Sequence, residues 1–135
     1  MDDPPRVIRY GNRMRLNLES AAGQNLIRAY APGEVRIGER TFRSSVVVAA
    51  NTLLEAWRPR SAAELEPPDL EPVLGLAPEV LLLGTGARQQ FPSREVLARL
   101  YGARVGFEVM DTGAACRTYN VLLAEGRVVV AALIV

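Results

Sequence analysis

The order of apolar runs after residue 79 limits this chain more than any other feature. Residues 80–83, Val-Leu-Leu-Leu, are an unbroken apolar run, the pattern of a strand buried on both faces. Ser93 is placed to cap a helix, with Glu95 in the first turn favourable to the helix dipole. Val96, Leu97 and Leu100 continue it as an apolar stripe as far as Tyr101. Residues 105–110 predict the next strand. Asp111 or Thr112 caps a second helix running to Ala124, and Gly126 stands where a left-handed C-cap belongs. Residues 128–135, eight apolar side chains in a row, predict a third strand. Strand–helix–strand order, met twice, calls for parallel pairing with right-handed crossovers. The second half is therefore expected to be a β-α-β-α-β unit.

The first half is patterned differently. Residues 1–12 read as a loose tail with two prolines. Met14-Arg15-Leu16-Asn17-Leu18 alternates apolar and polar, the mark of a half-buried strand. Residues 26–30 and 34–37 flank Ala31-Pro32-Gly33, a good hairpin loop. Gly38-Glu39 then turns the chain into residues 41–50, which alternate at first and end as Val46-Val47-Val48-Ala49-Ala50, as one strand passing from an edge into the core. Residues 53–57 predict another short strand. Pro59, Pro67, Pro68 and Pro72 break the period in an acidic connector, with a short helix expected over 69–74 and capping-box spacing between Ser61 and Glu64. The fold class is α/β: a tail over 1–12, then a single domain over 13–135 whose hairpin-rich first half precedes the β-α-β-α-β half.

Composition narrows the chemistry. Of 135 residues, 49% are apolar, enough for one real core. There is no histidine, so no Ser-His or Cys-His pair and no imidazole metal ligand. Every basic residue is arginine, which removes Schiff-base chemistry and the phosphate-binding lysine of P-loops. A single cysteine, Cys116, excludes an internal disulfide and a Cys-x-x-Cys site. No metal and no cofactor is expected, and enzymatic activity is disfavoured. Residues 1–60 hold ten arginines against six acids and residues 61–135 six against nine, a mild asymmetry within a net charge of +1. Arg28, Arg36 and Arg43 could share one sheet face as a basic patch or as an ordinary solvated surface. With no aromatic interleaving, nucleic-acid binding is not expected. Met1-Asp2-Asp3-Pro4-Pro5 is not a signal-peptide start, and the eight-residue apolar run falls short of the roughly 20 residues of a membrane helix. The expected location is the cytoplasm, without membrane insertion.

Two motifs define the candidate site. Gly84-Thr85-Gly86 follows a buried strand, and in parallel sheets ligands sit beyond the carboxyl ends of strands at a switch point. Asp111-Thr112-Gly113-Ala114-Ala115 likewise follows a strand and opens a helix whose amides can hold an anion. Neighbouring strands would bring both motifs to one crevice, with Arg88, Cys116, Arg117, Thr118 and Asn120 around it. Each feature also has a purely structural reading. The glycines serve a tight turn, Asp111 is a cap, and Cys116 is a small buried hydrophobe rather than a thiolate activated by Arg117. Arg117 at a helix start is either an anion ligand or half of an ion pair with Glu125 or Asp111.

Tyr30-Ala-Pro-Gly33, Ile37-Gly38, Phe42, Ser45-Val46-Val47-Val48 and Trp57 precede Leu81-Leu-Leu-Gly-Thr-Gly86, Met110-Asp-Thr-Gly-Ala-Ala-Cys-Arg-Thr-Tyr-Asn120 and Glu125-Gly-Arg127. Together, over residues 13–135, these resemble the conserved hypothetical proteins whose family includes the mitochondrial NADH dehydrogenase (complex I) assembly factor and an adipogenesis-associated vertebrate protein. The chain looks like a short bacterial member. The resemblance implies a three-layer α/β fold with a mixed central sheet and an extra β-rich layer. It implies no established enzyme activity and no catalytic residue set. It points to binding or complex assembly through an unidentified protein partner, with a small-molecule or anion site in the crevice as the alternative.

Overall fold

A computed structural model describes residues 23–135 of the chain. The expected tail over 1–12 and the alternating segment 14–18 lie outside the described residues. The first hairpin joins β1 (Ile27–Ala31) to β2 (Glu34–Ile37), with Ala31 opposite Glu34. Its two-residue loop is Pro32-Gly33, and Gly33 has φ +90°. Proline followed by a residue of positive φ is the order that a type II turn requires. β3 (Arg40–Phe42) completes a three-stranded antiparallel sheet in the order β1-β2-β3.

The single strand expected over 41–50 is two strands in two sheets. After Phe42 the chain leaves the small sheet, and β4 (Val46–Ala49) belongs to the large one. Ser45 anchors the crossing: its carbonyl accepts from the Trp57 amide at 2.9 Å and its hydroxyl from the Val135 amide at 3.3 Å. β5 (Thr52–Leu54) pairs antiparallel with β4 and ends earlier than expected. Trp57 instead leaves the sheet, is buried, and donates its indole N–H to the Asp69 carbonyl at 3.0 Å.

The connector forms two short 3₁₀ turns, Ala62–Glu64 and Pro67–Leu70, followed directly by α1 (Glu71–Leu74). Ser61 makes no capping bond. The cap is formed further along, where the Asp69 carboxylate accepts the Glu66 amide at 2.8 Å. The Arg58 guanidinium holds the same carboxylate at 2.6 and 2.8 Å and keeps it below the usual aspartate range.

The second half follows its pattern closely, as β6 (Val80–Thr85), α2 (Arg94–Gly102), β7 (Gly106–Met110), α3 (Thr112–Ala124) and β8 (Val129–Ile134). Ser93 caps α2 by accepting the Val96 amide at 3.3 Å. Asp111, not Thr112, caps α3 by accepting the Ala114 amide at 2.8 Å. Gly126 has φ +80°, and the amides of Gly126 and Arg127 donate back to Leu123 and Leu122, closing α3 in a Schellman motif.

The large sheet has the order β5-β4-β8-β6-β7. β6 is parallel to both β7 and β8, and β4 is antiparallel to β5 and β8, so the sheet is mixed. Alternation along its strands sorts side chains into two cores. Val46, Val48, Leu82, Val129, Ala131 and Leu133 meet α3 and the small sheet on one face. Val47, Leu81, Leu83, Val130, Ala132 and Ile134 meet α2 and the connector on the other. The result is three layers with the mixed sheet in the middle. No helix of the described residues is long and apolar enough to cross a membrane.

Candidate functional site

The order β8-β6-β7 makes β6 the switch point: the chain leaves β6 for one neighbour and returns past it to the other. The two motifs do meet there, and their own polar groups fill the junction. The Gly86 amide donates to Thr112 Oγ1 at 2.7 Å, and the Thr112 amide donates to the Gly86 carbonyl at 2.8 Å. Thr112 Oγ1 in turn donates to the Ile134 carbonyl at 2.7 Å. Thr85 Oγ1 donates to the Arg88 carbonyl at 2.7 Å and accepts the Gln90 amide at 3.0 Å. Both threonines are buried.

The glycines have separate roles. A Cβ on Gly84 would lie 2.9 Å from Thr112 Oγ1 and 3.0 Å from its Cα, so Gly84 lets the first turn of α3 sit on β6. Gly86, at φ +95°, makes the turn. Of the opening amides of α3, those of Thr112, Ala114 and Ala115 donate to Gly86, to the Asp111 side chain and to the Asp111 carbonyl.

Space opens elsewhere, between the start of α3 and β1. A cavity of about 230 Å³ is bounded by Tyr30, Gly113, Cys116, Arg117 and Asn120, with residues 27–29 as its other wall. Of the residues singled out from sequence, Cys116, Arg117 and Asn120 line it. Asp111 does not line it, though its Oδ1 lies close to Gly113, which does. Gly84, Thr85, Gly86, Arg88 and Thr118 lie outside it. Asn120 is committed to the backbone: its Nδ2 donates to the Ile27 carbonyl at 2.7 Å and its Oδ1 accepts the Ile27 amide at 3.1 Å. Cys116 is buried, and loss of solvation pushes its thiol up to about 12 despite the opposing effect of Arg117. Burial thus outweighs Arg117 and favours the neutral thiol, the opposite direction to the activation considered from sequence. Arg117 forms an ion pair with neither Glu125 nor Asp111; its guanidinium lies over Gly113 beside the Tyr30 ring. Tyr30 Oη is buried without a hydrogen-bond partner among the described residues, and burial raises its pKa.

Of the arginines considered as a basic patch, Arg36 and Arg43 are paired with carboxylates, while Arg28 of β1 lines the cavity. Arg36, Arg40 and Arg43 pair with Glu39, Glu55 and Glu34 at 3.2, 2.8 and 3.4 Å.

A second surface, missed in the sequence, lies along β7, an edge strand among the described residues. Phe91 is 67% exposed and Tyr101 72% exposed. Tyr101 stacks edge-on against Phe107 of β7, with ring centroids 5.1 Å apart. These rings, with Gln89, Val105, Glu108 and Val109, line an open groove of about 470 Å³. No sequence signal marked it, since Tyr101, four residues after Leu97, reads as the last member of the apolar stripe.

The model of one family, described as protein of unknown function (DUF498/DUF598), matches residues 27–134. The chain belongs to this family. Among DUF498/DUF598 relatives, the Danio rerio protein named NADH dehydrogenase [ubiquinone] 1 alpha subcomplex assembly factor 3 is 36% identical over 118 residues, which are 86% of this chain and 67% of that protein. A Francisella tularensis subsp. holarctica protein named 13 kDa major membrane protein is 25% identical over 115 residues, 84% of this chain and 94% of its own length. The solution structure of a Xanthomonas campestris protein superposes with a TM-score of 0.76 at 42% identity, covering 90% of this chain and 92% of that one.

Proposed function

We propose that this member of the DUF498/DUF598 family is a non-enzymatic binding protein of the complex-assembly type, working through protein contacts. The observation that carries the reading is the β7 edge, where two large aromatic side chains, Phe91 and Tyr101, stand mostly exposed beside the edge strand. Exposed aromatics next to an unpaired strand edge are the groups by which proteins engage other chains. The Danio rerio relative, named as an assembly factor, supports the same class of role. The polar groups of the two motifs support it as well, since Thr85, Thr112 and Asp111 already hold backbone groups. The test is affinity capture of the full chain from its native host, beside a Phe91→Glu/Tyr101→Glu variant. A partner recovered with the parent chain and lost with the variant is expected. Recovery of nothing above background, or equal recovery with both, would overturn the reading.

A second reading has one observation in its favour: the Tyr30 hydroxyl, without a hydrogen-bond partner among the described residues, on a residue that lines the cavity together with Arg28 and Arg117. A small anionic molecule held there would stabilise the native state on binding. Thermal shift with a panel of anionic metabolites should then raise the melting temperature of the parent chain and not of Arg117→Ala. A panel without effect on the parent chain removes this reading.

A further inference from the structure

We infer that the cavity between β1 and α3 receives the C-terminal end of a partner chain, its carboxylate held between Arg28 and Arg117 and its next-to-last residue paired antiparallel with Tyr30. The inference rests on the reading of this cavity as an anion site and names the anion as a chain end.

The hairpin sets which part of β1 is open. Ala31 and Glu34 face each other across the two-residue loop, so they exchange hydrogen bonds. The next pair, Tyr30 and Val35, is then the kind that does not. Tyr30 therefore turns its own amide and carbonyl to the outer edge of β1, which no strand covers among the described residues. The Leu26 carbonyl accepts the Gly38 amide on the β2 side, so Ile27 also turns outward. There the Asn120 side chain holds both of its backbone groups, at 3.1 and 2.7 Å. The edge is thus open at Tyr30 and closed at Ile27. A chain added antiparallel beside Tyr30 runs toward Ile27 and has to end before it. Its upstream residues leave past Pro32-Gly33.

Charge selects the end group. The register of β1 slips between Ile27 and Ala29, which leaves Arg28 without an opposite residue. An extra residue of this kind re-aims its side chain, and Arg28 lines the cavity. Arg117 lines it from α3. Neither guanidinium is ion-paired among the described residues. Asp111, whose Oδ1 lies close to Gly113, is engaged by the Ala114 amide. It offsets one of the two positive charges, and a single carboxylate offsets the other. Burial holds the Cys116 thiol and the Tyr30 phenol toward their uncharged forms. The Tyr30 hydroxyl adds a donor on a residue of the same wall. An ammonium beside two arginines is repelled, so the end of an acylated chain fits where a free amino acid does not. Arginine binds a carboxylate through paired, charge-assisted hydrogen bonds. The cavity of about 230 Å³ is smaller than the roughly 300–1,000 Å³ of sites for drug-sized ligands, and suits a chain end. Strand addition and carboxylate capture are both established ways of holding a peptide, and here they meet in one place.

Amide NMR shifts of the ¹⁵N-labelled full chain test this. The probes are acetylated tripeptides of varied sequence with a free carboxyl end, the same tripeptides amidated at that end, and acetylated single amino acids. Concentrations reach about 5 mM, to cover weak association. Tripeptide acids should shift the amides of Tyr30 and Gly113 saturably. Amidation removes the charge and should weaken binding by about tenfold or more. Arg28→Ala and Arg117→Ala should each do the same. Both positions are exposed, and the spectrum itself reports whether each variant is folded. Acetylated single amino acids lack the residue that pairs with Tyr30 and should bind about threefold more weakly or worse. Acids that leave Tyr30 and Gly113 unmoved, acids and amides of equal affinity, variants that bind like the parent, or single amino acids as tight as any tripeptide would each overturn the inference. Inorganic phosphate and acetate are titrated alongside. If either binds in the cavity while no tripeptide acid does, the chain end falls and the anion site stands. If nothing binds and the anionic metabolites leave the melting temperature unchanged, both fall.

Discussion

Thr112 shows how much one hydroxyl can organise. It accepts from β6 through the Gly86 amide and donates to β8 through the Ile134 carbonyl, while its own residue begins α3. Thr112→Val keeps the shape and removes both bonds, taking their partner from the half-buried Gly86 amide and the buried Ile134 carbonyl. Each such group costs about 1–3 kcal/mol, so the substitution should destabilise by about 2–4 kcal/mol. Urea unfolding should show a lower midpoint at unchanged slope. A loss below about 0.5 kcal/mol would mean that water or a neighbour replaces the hydroxyl. At this scale the residues that the sequence singles out for a crevice also hold the fold together. Gly84, Thr85 and Asp111 carry a recognisable motif, and the motif is a seam between two strands and a helix. Nothing local distinguishes a glycine that admits a helix, as Gly84 does, from one that admits a ligand.

Among the elements, α3 ties the two sheets together. Tyr119 Oη donates to the Asn25 carbonyl at 2.8 Å, and the Asn120 amide pairs with both backbone groups of Ile27, standing in for a neighbouring strand at the start of β1. Asn120→Ala should loosen the small sheet before anything else. Amide exchange should accelerate in β1 and β2 with little change in β6 and β8, at a cost of about 1–2 kcal/mol. Equal acceleration in β6 and β8 would show that the two sheets open as one unit. The helices were the most legible elements, because Ser93, Asp111 and Gly126 act through their own neighbourhoods. The break after Phe42 was not legible. Phe42 and Val46 both read as strand, and only the pairing of β3 with β2 and of β4 with β8 assigns them to different sheets.

For the whole molecule, apolar spacing made the parallel half readable and left the place of the open surfaces hidden. The cavity between β1 and α3 joins Tyr30 to Gly113 across most of the described chain, a juxtaposition that no periodicity encodes. The β7 edge depends on strand order in the same way, since β7 is flanked in sequence by two helices and, among the described residues, in space by one strand. The same strand order bears on how the protein is made. β8 is the last of the described strands to leave the ribosome, yet it lies between β4 and β6. Until it arrives, the β4–β5 hairpin and the β6–β7 pair are separate pieces, each with an open side that will be buried later. Every side chain of β8 from Val129 to Ile134 is buried in one of the two cores. A nascent chain halted before Val129 therefore leaves the inner edges of β4 and β6 unpaired, and the large sheet closes only as the last of its strands arrives.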